Sequence, residues 1–385
     1  MAVTRLTYCG NVHPAYDLSQ WLQALDECAV PVALAARAKQ RQFGLGVWWP
    51  ARLAQQLAVD RATQALVRDF LKQRNLELWT LNVFPFDAFH DDRVKTAVYA
   101  KDWGTEDRVS YTQQCAEAAA ALSPRGAVLP LSTLPLGYRT TSDAPPDLRR
   151  MAQNLARVAG AFAELRERTG VHCVLALEPE PCCLIETCGQ AATFLEQWLF
   201  FAGAKLPVNE AVLRAHLGVC VDLCHLAVVG ESPLAALADL KARGIAVPKI
   251  QLSSCLEARA PAALEQLLSF DEPRYLHQTA GQNGARALDL DEVRARRDEF
   301  AAAGIVRTHF HMPLWWDEDG DFGSTRAAVV HVLLALARQA AAGETLPLLE
   351  VETYTWPVLG EFAGAAPLWQ RVQREIDFAA NLLGC

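Results

Sequence analysis

Apolar runs recur along the chain, and each stops at a polar residue. Residues 4–9, 43–49, 76–83, 127–133, 171–178, 217–222, 249–253 and 346–352 read as eight strands. Between them lie longer stretches with apolar positions at helical spacing, at 17–40, 51–74, 107–122, 146–169, 189–202, 208–215 and 233–243, and a last one follows at 367–382. Gly170 and Gly244 stand where two of these helices should end. Strands alternating with helices at this spacing predict parallel βα units. Eight of them predict a closed (β/α)8 TIM barrel rather than an open sheet.

One segment exceeds a minimal barrel. Between the seventh and eighth runs lie an apolar piece (Tyr275–Thr279), a charged helix at 289–302, a strand-like run (Ile305–Met312) and a helix at 324–342. Two readings stand. Residues 256–345 include an insertion near the barrel mouth, or Ile305–Met312 is itself the seventh barrel strand. No internal repeat, low-complexity tract or linker breaks the chain, so residues 1–385 read as one domain.

The polar residues that end the strands carry the candidate chemistry, because the C-terminal ends of parallel barrel strands form the active face. Glu178 ends the fifth strand and Asp222 the sixth, with His225 just beyond. Gln251 lies near the end of the seventh, and Glu350 follows Leu348-Leu349 in the eighth. Side chains alternate along a strand, so His309 and His311 share a face, as do Glu178 with Glu180 and Glu350 with Glu352. A lone strand-end carboxylate is commonly a helix cap or loop ion pair. Several carboxylates and imidazoles at one mouth need neutralising, and a divalent metal does that. Oxygen and imidazole donors suit Mn, Zn, Co, Fe or Mg. The candidate donors are Glu178, Asp222, His225, Gln251, Glu350 and the His309 and His311 pair. His13, Asn82, His90, His277, His309 and Trp356 are candidates for the substrate pocket. Phe84, Phe86, Trp315, Trp316 and Tyr354 could help to wall it. His172 and His216 should lie on the opposite, structural face.

Composition narrows the partners. The 385 residues are 51% hydrophobic and 21% charged, with net charge −8. That balance disfavours general binding to nucleic acid. No N-terminal h-region and no long apolar span is evident, so neither secretion nor membrane insertion is expected. The 11 scattered cysteines do not form a disulfide framework, which points to a reducing cytoplasm.

Gly218-Val219-Cys220-Val221-Asp222-Leu223-Cys224-His225 resembles the strand-six motif of the xylose isomerase-like TIM barrels, which include endonuclease IV and the ketose 3-epimerases. The resemblance implies that Glu178, Asp222 and Glu350 hold metal, with Gln251 and His311 competing for the place of its strand-seven His, and that Glu178, Glu350 and His225 are the catalytic groups. Tyr8-Cys9-Gly10-Asn11-Val12-His13-Pro14, Thr80-Leu81-Asn82-Val83-Phe84-Pro85-Phe86, Ser132-Thr133-Leu134-Pro135-Leu136-Gly137-Tyr138, Tyr275-Leu276-His277-Gln278 and Leu349-Glu350-Val351-Glu352-Thr353-Tyr354-Thr355-Trp356 are similar to the EboE family of metabolite-traffic proteins. That likeness implies a secondary-metabolite pathway, a small-molecule metabolite and partners from the same gene cluster. The expected function is metal-dependent isomerase or epimerase chemistry on a small hydroxylated or carbonyl-bearing metabolite. The alternative is a non-catalytic carrier in metabolite export. DNA repair of the endonuclease IV kind is a third reading, which the acidic charge opposes.

Overall fold

The computed structural model describes residues 4–87, 89–91, 93–139, 145–201, 206–356 and 365–385. Seven strands come first: β1 (Leu6–Tyr8), β2 (Leu45–Val47), β3 (Leu78–Asn82), β4 (Val128–Thr133), β5 (His172–Leu177), β6 (Leu217–Asp222) and β7 (Lys249–Leu252). Six shorter-range strands follow: β8 (Ser254–Arg259), β9 (Thr279–Gly281), β10 (Arg286–Ala287), β11 (Ile305–Met312), β12 (Glu318–Asp319) and β13 (Phe322–Ser324). The last is β14 (Leu348–Val351). The barrel sheet runs β1-β14-β7-β6-β5-β4-β3-β2, and every pair in it is parallel. These strands are buried on both faces, which is why they read as continuous apolar runs.

The barrel is nearly closed. At the seam between β1 and β2, the Thr7 hydroxyl donates to the Gly44 carbonyl at 2.6 Å. Gly46 is needed there, because a Cβ would sit 2.5 Å from the Tyr8 carbonyl oxygen and against the Glu350 carboxylate.

The structure decides between the two readings of the extra segment. Lys249–Leu252 is the seventh barrel strand, paired with β6 and β14. Ile305–Met312 instead forms β11 of a separate six-stranded sheet, ordered β10-β9-β11-β8-β13-β12 with antiparallel pairs. Only Ser253 separates β7 from β8, so the insertion rises directly from the barrel rim. The β11–β8 register slips between Thr308 and His311.

The helices match the predicted spacing with several differences, among them a split of the charged 289–302 stretch into Leu290–Ala295 and Arg297–Ala301 and an added helix at Leu264–Leu268. The predicted 51–74 helix is two, because Asp60 ends Ala51–Val59 and caps Arg61–Arg74 through the Ala62 N–H. Another is the buried helix Leu223–Val229, which lies outside every predicted helix and starts from Asp222 as its cap. Apart from His225 its sequence is apolar, so it shows no amphipathic period to detect. Among the described residues, no single helix is long and apolar enough to cross a membrane.

Candidate metal centre

Three histidines meet at the C-terminal mouth of the barrel. His225 comes from the first turn after β6, and His309 and His311 come from β11 of the insertion. Each has its Nδ1 against an atom that can only accept. His225 Nδ1 donates to the Pro179 carbonyl at 3.0 Å. His309 Nδ1 donates to Gln278 Oε1 at 2.7 Å, and His311 Nδ1 to the Glu352 carbonyl at 2.5 Å. The Gln278 amide is oriented by its Nε2, which donates to Glu180 Oε1 at 3.1 Å. With the Nδ1 protons committed, the three Nε2 atoms carry lone pairs. These converge: His225 Nε2 lies 3.1 Å from His309 Nε2, which lies 3.0 Å from His311 Nε2.

Such lone pairs repel unless a cation sits among them. Protonation is a poor remedy here. Burial, followed by the His311 imidazole, pushes the His225 pKa well down. Burial, then His225 and His311, does the same to His309, and burial lowers His311. A divalent metal is the cation that neutral, outward-oriented imidazoles accept, each held by a second-layer oxygen. Asp222 supplies a carboxylate beside them. Its Oδ1 accepts from the His225 N–H and from the Ser253 hydroxyl, both at 2.8 Å, while Oδ2 is buried without a hydrogen-bond partner. One donor atom each from Asp222, His225 and His311 lies within 4.8 Å of the others, as do those of Glu180, His225 and His309.

Two more buried carboxylates face this group. Glu178, next after β5, and Glu352, next after β14, each keep an Oε2 without a partner. Burial raises the Glu178 pKa well above the usual range, and Glu352 and Asp222 add to it. Burial does the same at Glu352, with Asp222 and Glu350 adding. Asn11 and Asn82 orient Glu352 by donating to its Oε1 at 2.7 and 3.2 Å. Glu180 accepts from the Tyr99 hydroxyl at 2.6 Å, and burial raises its pKa to about 7.

These groups floor a cleft with about 540 Å³ of empty space, counting its open mouth. Phe84, Phe89, Tyr99, Tyr275 and Tyr354 wall it. Arg108, fully buried, holds the Phe84 wall by donating to the Val83 and Phe84 carbonyls at 2.6 and 3.0 Å.

The expected site residues divide. Glu178, Asn82, His225, His309 and His311 line the cleft, and Asp222 lies at its floor against His225. Glu350 and Gln251 are not among the residues that line the cleft, although Glu350 has a donor atom within 4.8 Å of one each from Glu352 and Cys9. Glu350 sits a layer lower, ion-paired to Lys249, and Gln251 accepts from the Cys220 thiol at 3.2 Å inside the barrel. The outer carboxylate of the eighth strand is Glu352, two residues on and on the same face. Four pocket candidates also lie behind the wall. His13 bonds the Tyr8 hydroxyl at 2.9 Å, and His90 donates to the Asn11 carbonyl at 2.6 Å. His277 stacks on Phe310 beside Asp289, and Trp356 packs under Arg371. Phe86 packs on Tyr111 and Trp315 under Arg374. His172 and His216 bond the backbone carbonyls of Ala215 and Cys173 at the opposite end of the strands. Glu352, Glu180, Tyr99 and Gln278 went unassigned by sequence. The Glu-x-Glu repeat at 178–180 and 350–352 was the available signal.

The xylose isomerase-like TIM barrel family model matches residues 32–306. Similar solved structures include the IOLI protein with a bound zinc atom, at 11% identity over 99% of this chain and 98% of that one, with TM-score 0.47. A D-tagatose 3-epimerase-like protein matches at 11% identity over 99% and 97%, with TM-score 0.48. A xylose isomerase domain containing protein from Salmonella typhimurium matches at 13% identity over 100% of both chains, with TM-score 0.47. No curated protein matches the chain. The family match covers well over half of the sequence, and the chain belongs to the xylose isomerase-like TIM barrel family.

Proposed function

We propose that the protein is a divalent-metal-dependent enzyme of isomerase or epimerase type. It moves a proton at a carbon beside an oxygen of a small hydroxylated or carbonyl-bearing metabolite. The observation that carries this reading is the convergence of three imidazole Nε2 lone pairs whose Nδ1 protons are all committed elsewhere. His225, His309, His311 and Asp222 would hold the metal. When bound, the metal supplies a Lewis acid that polarises a substrate oxygen.

The remaining work falls to the chain's own groups. Glu178 and Glu352 each offer one unpartnered carboxylate oxygen, and burial favours their taking up a proton. One removes a proton from carbon and the other returns it. Asn11 and Asn82 keep the Glu352 carboxylate aimed. Aromatic walls exclude water from the cleft. Two free carboxylate oxygens beside the centre favour this reading over a carrier, which needs no proton-moving groups. The pathway setting implied by the EboE likeness, secondary metabolism in the cytoplasm with partners from one gene cluster, forms part of this proposal.

The test is metal analysis of the purified protein and of Asp222→Ala and His311→Ala, followed by solvent-deuterium exchange into a ketose panel. Unchanged metal in both variants would sink the centre. Full metal with tight metabolite binding and no exchange would favour the carrier.

A further inference from the structure

One cation stands out on the cleft wall. Arg274 lines the cleft, and its backbone is held at three points. Its carbonyl accepts from the Val94 and Lys95 N–H groups at 3.1 and 2.7 Å, and its own N–H donates to Glu272 Oε2 at 2.8 Å. Its side chain is anchored by Nε, which donates to the Asp91 carbonyl at 3.2 Å, and it interacts with the Tyr275 hydroxyl. Among the described residues, no carboxylate forms an ion pair with the guanidinium. Asp91 instead receives the Tyr16 hydroxyl, at 3.2 Å. The neighbouring Lys95 is spent on Asp289, at 2.6 Å, and Asp271, at 3.6 Å. So the cleft wall presents one fixed, uncompensated positive group, while its floor is rich in carboxylates.

A continuous aromatic wall joins this rim to the centre. The guanidinium carbon lies 6.0 Å from the Tyr275 ring centroid. Tyr275 and Tyr354 have centroids 5.0 Å apart, and Phe89 lies 5.3 and 5.4 Å from them. Tyr354 is 4.7 Å from the His311 ring. A hydroxyl-covered sugar finds few polar partners along such a wall. A planar or alkyl segment packs on it.

We propose that the substrate is bipolar: an oxygen-bearing head at the histidine floor, an apolar or aromatic middle against Tyr275, Tyr354 and Phe89, and an anionic tail on Arg274. The tail is a carboxylate or a phosphate monoester, both of which a guanidinium fork grips with two donors. This assignment rests on the metal-centre reading above.

The test uses zinc-loaded protein and paired catechols, with zinc content measured in the same samples. Dihydrocaffeate carries a carboxylate tail, 4-ethylcatechol has none, and catechol-ethyl phosphate replaces the carboxylate by phosphate. Calorimetry on the wild type should show about tenfold or greater preference for an anionic probe over 4-ethylcatechol, the scale of a charge-assisted hydrogen bond. The better of the two anionic probes identifies the tail. Arg274→Ala should lose that preference while its affinity for 4-ethylcatechol stays unchanged. Arg274→Glu should reverse it. Full zinc with no anion preference in the wild type, a preference that survives Arg274→Ala, or no binding of any catechol overturns the substrate assignment and leaves the metal centre standing. Failure of the wild type to hold zinc overturns both.

Discussion

Lys249 Nζ lies 2.5 Å from Glu350 Oε2, and both side chains are fully buried inside the barrel. Lys249 also donates to Ser132 Oγ at 3.1 Å. The pair lies beneath the cleft, where the Lys249 charge also acts on Glu178 and Glu352. Removing one partner strands a charge in a medium that cannot solvate it. Glu350→Ala is expected to cost about 3–5 kcal/mol in urea unfolding. Lys249→Met with Glu350→Leu should come close to wild-type stability. Metal content should be unchanged in the double variant, because neither group belongs to the histidine centre. Loss of metal there would return Glu350 to the ligand set.

Metal removal should destabilise the fold as well as stop turnover. The three Nε2 atoms repel one another in the metal-free protein. A chelator should lower the melting temperature, and metal at about a hundred times its dissociation constant should restore roughly 2.7 kcal/mol. His309→Ala should show a much smaller metal-dependent shift. An equal shift in that variant would place the ion elsewhere.

Glu178→Gln separates proton transfer from metal binding. Its shape is conserved, and the imidazoles and Asp222 are untouched. Deuterium exchange into substrate should fall by about 10²–10⁴-fold with metal content intact. A variant that exchanges at the wild-type rate would remove Glu178 from the reaction.

Glu375 should make stability pH-dependent. It is fully buried, and its Oε1 accepts from the Thr353 hydroxyl at 2.7 Å and the Leu314 N–H at 3.0 Å. Burial raises its pKa from the ordinary 4.5 to about 8. Between those values the folded protein keeps a proton that the unfolded chain has released. This contribution is therefore greatest below pH 4.5, declines as pH rises, and levels off above about 8. The loss by pH 7 is on the order of 3 kcal/mol. Glu375→Gln should flatten that slope between pH 5 and 8, as read from urea midpoints. A slope equal to the wild type's would mean that the carboxyl is ionised in the fold.

The barrel was legible because its strands are buried on both sides and its helices are amphipathic, so the two periods separate cleanly. The six-stranded sheet was not. Only β8 and β11 among its strands exceed three residues, and strands as short as Arg286–Ala287 and Glu318–Asp319 leave no pattern to read. Asp222 and His225 were visible as a strand end. Gln251 followed from chain order along the barrel, whereas the two imidazoles beside His225 come from outside it. Choosing Glu350 over Glu352 was a choice of depth. Both share one face, and nothing in the local sequence says which stands at the rim. The answer lies in Lys249, an unusual cation at a buried strand position that had to have a partner.

The slip in the β11–β8 ladder has its own consequence. Between Thr308 and His311 the strand parts from its neighbour, and thiols take the place of the missing amide donors. Cys255 Sγ donates to the Thr308 carbonyl at 3.2 Å, and Cys224 Sγ reaches the Phe310 carbonyl at 3.8 Å. β11 takes three steps from Thr308 to His311 where β8 takes one, so deleting His309 and Phe310 together would mend the ladder and remove one of the three imidazoles. The better-formed sheet would be the inactive one.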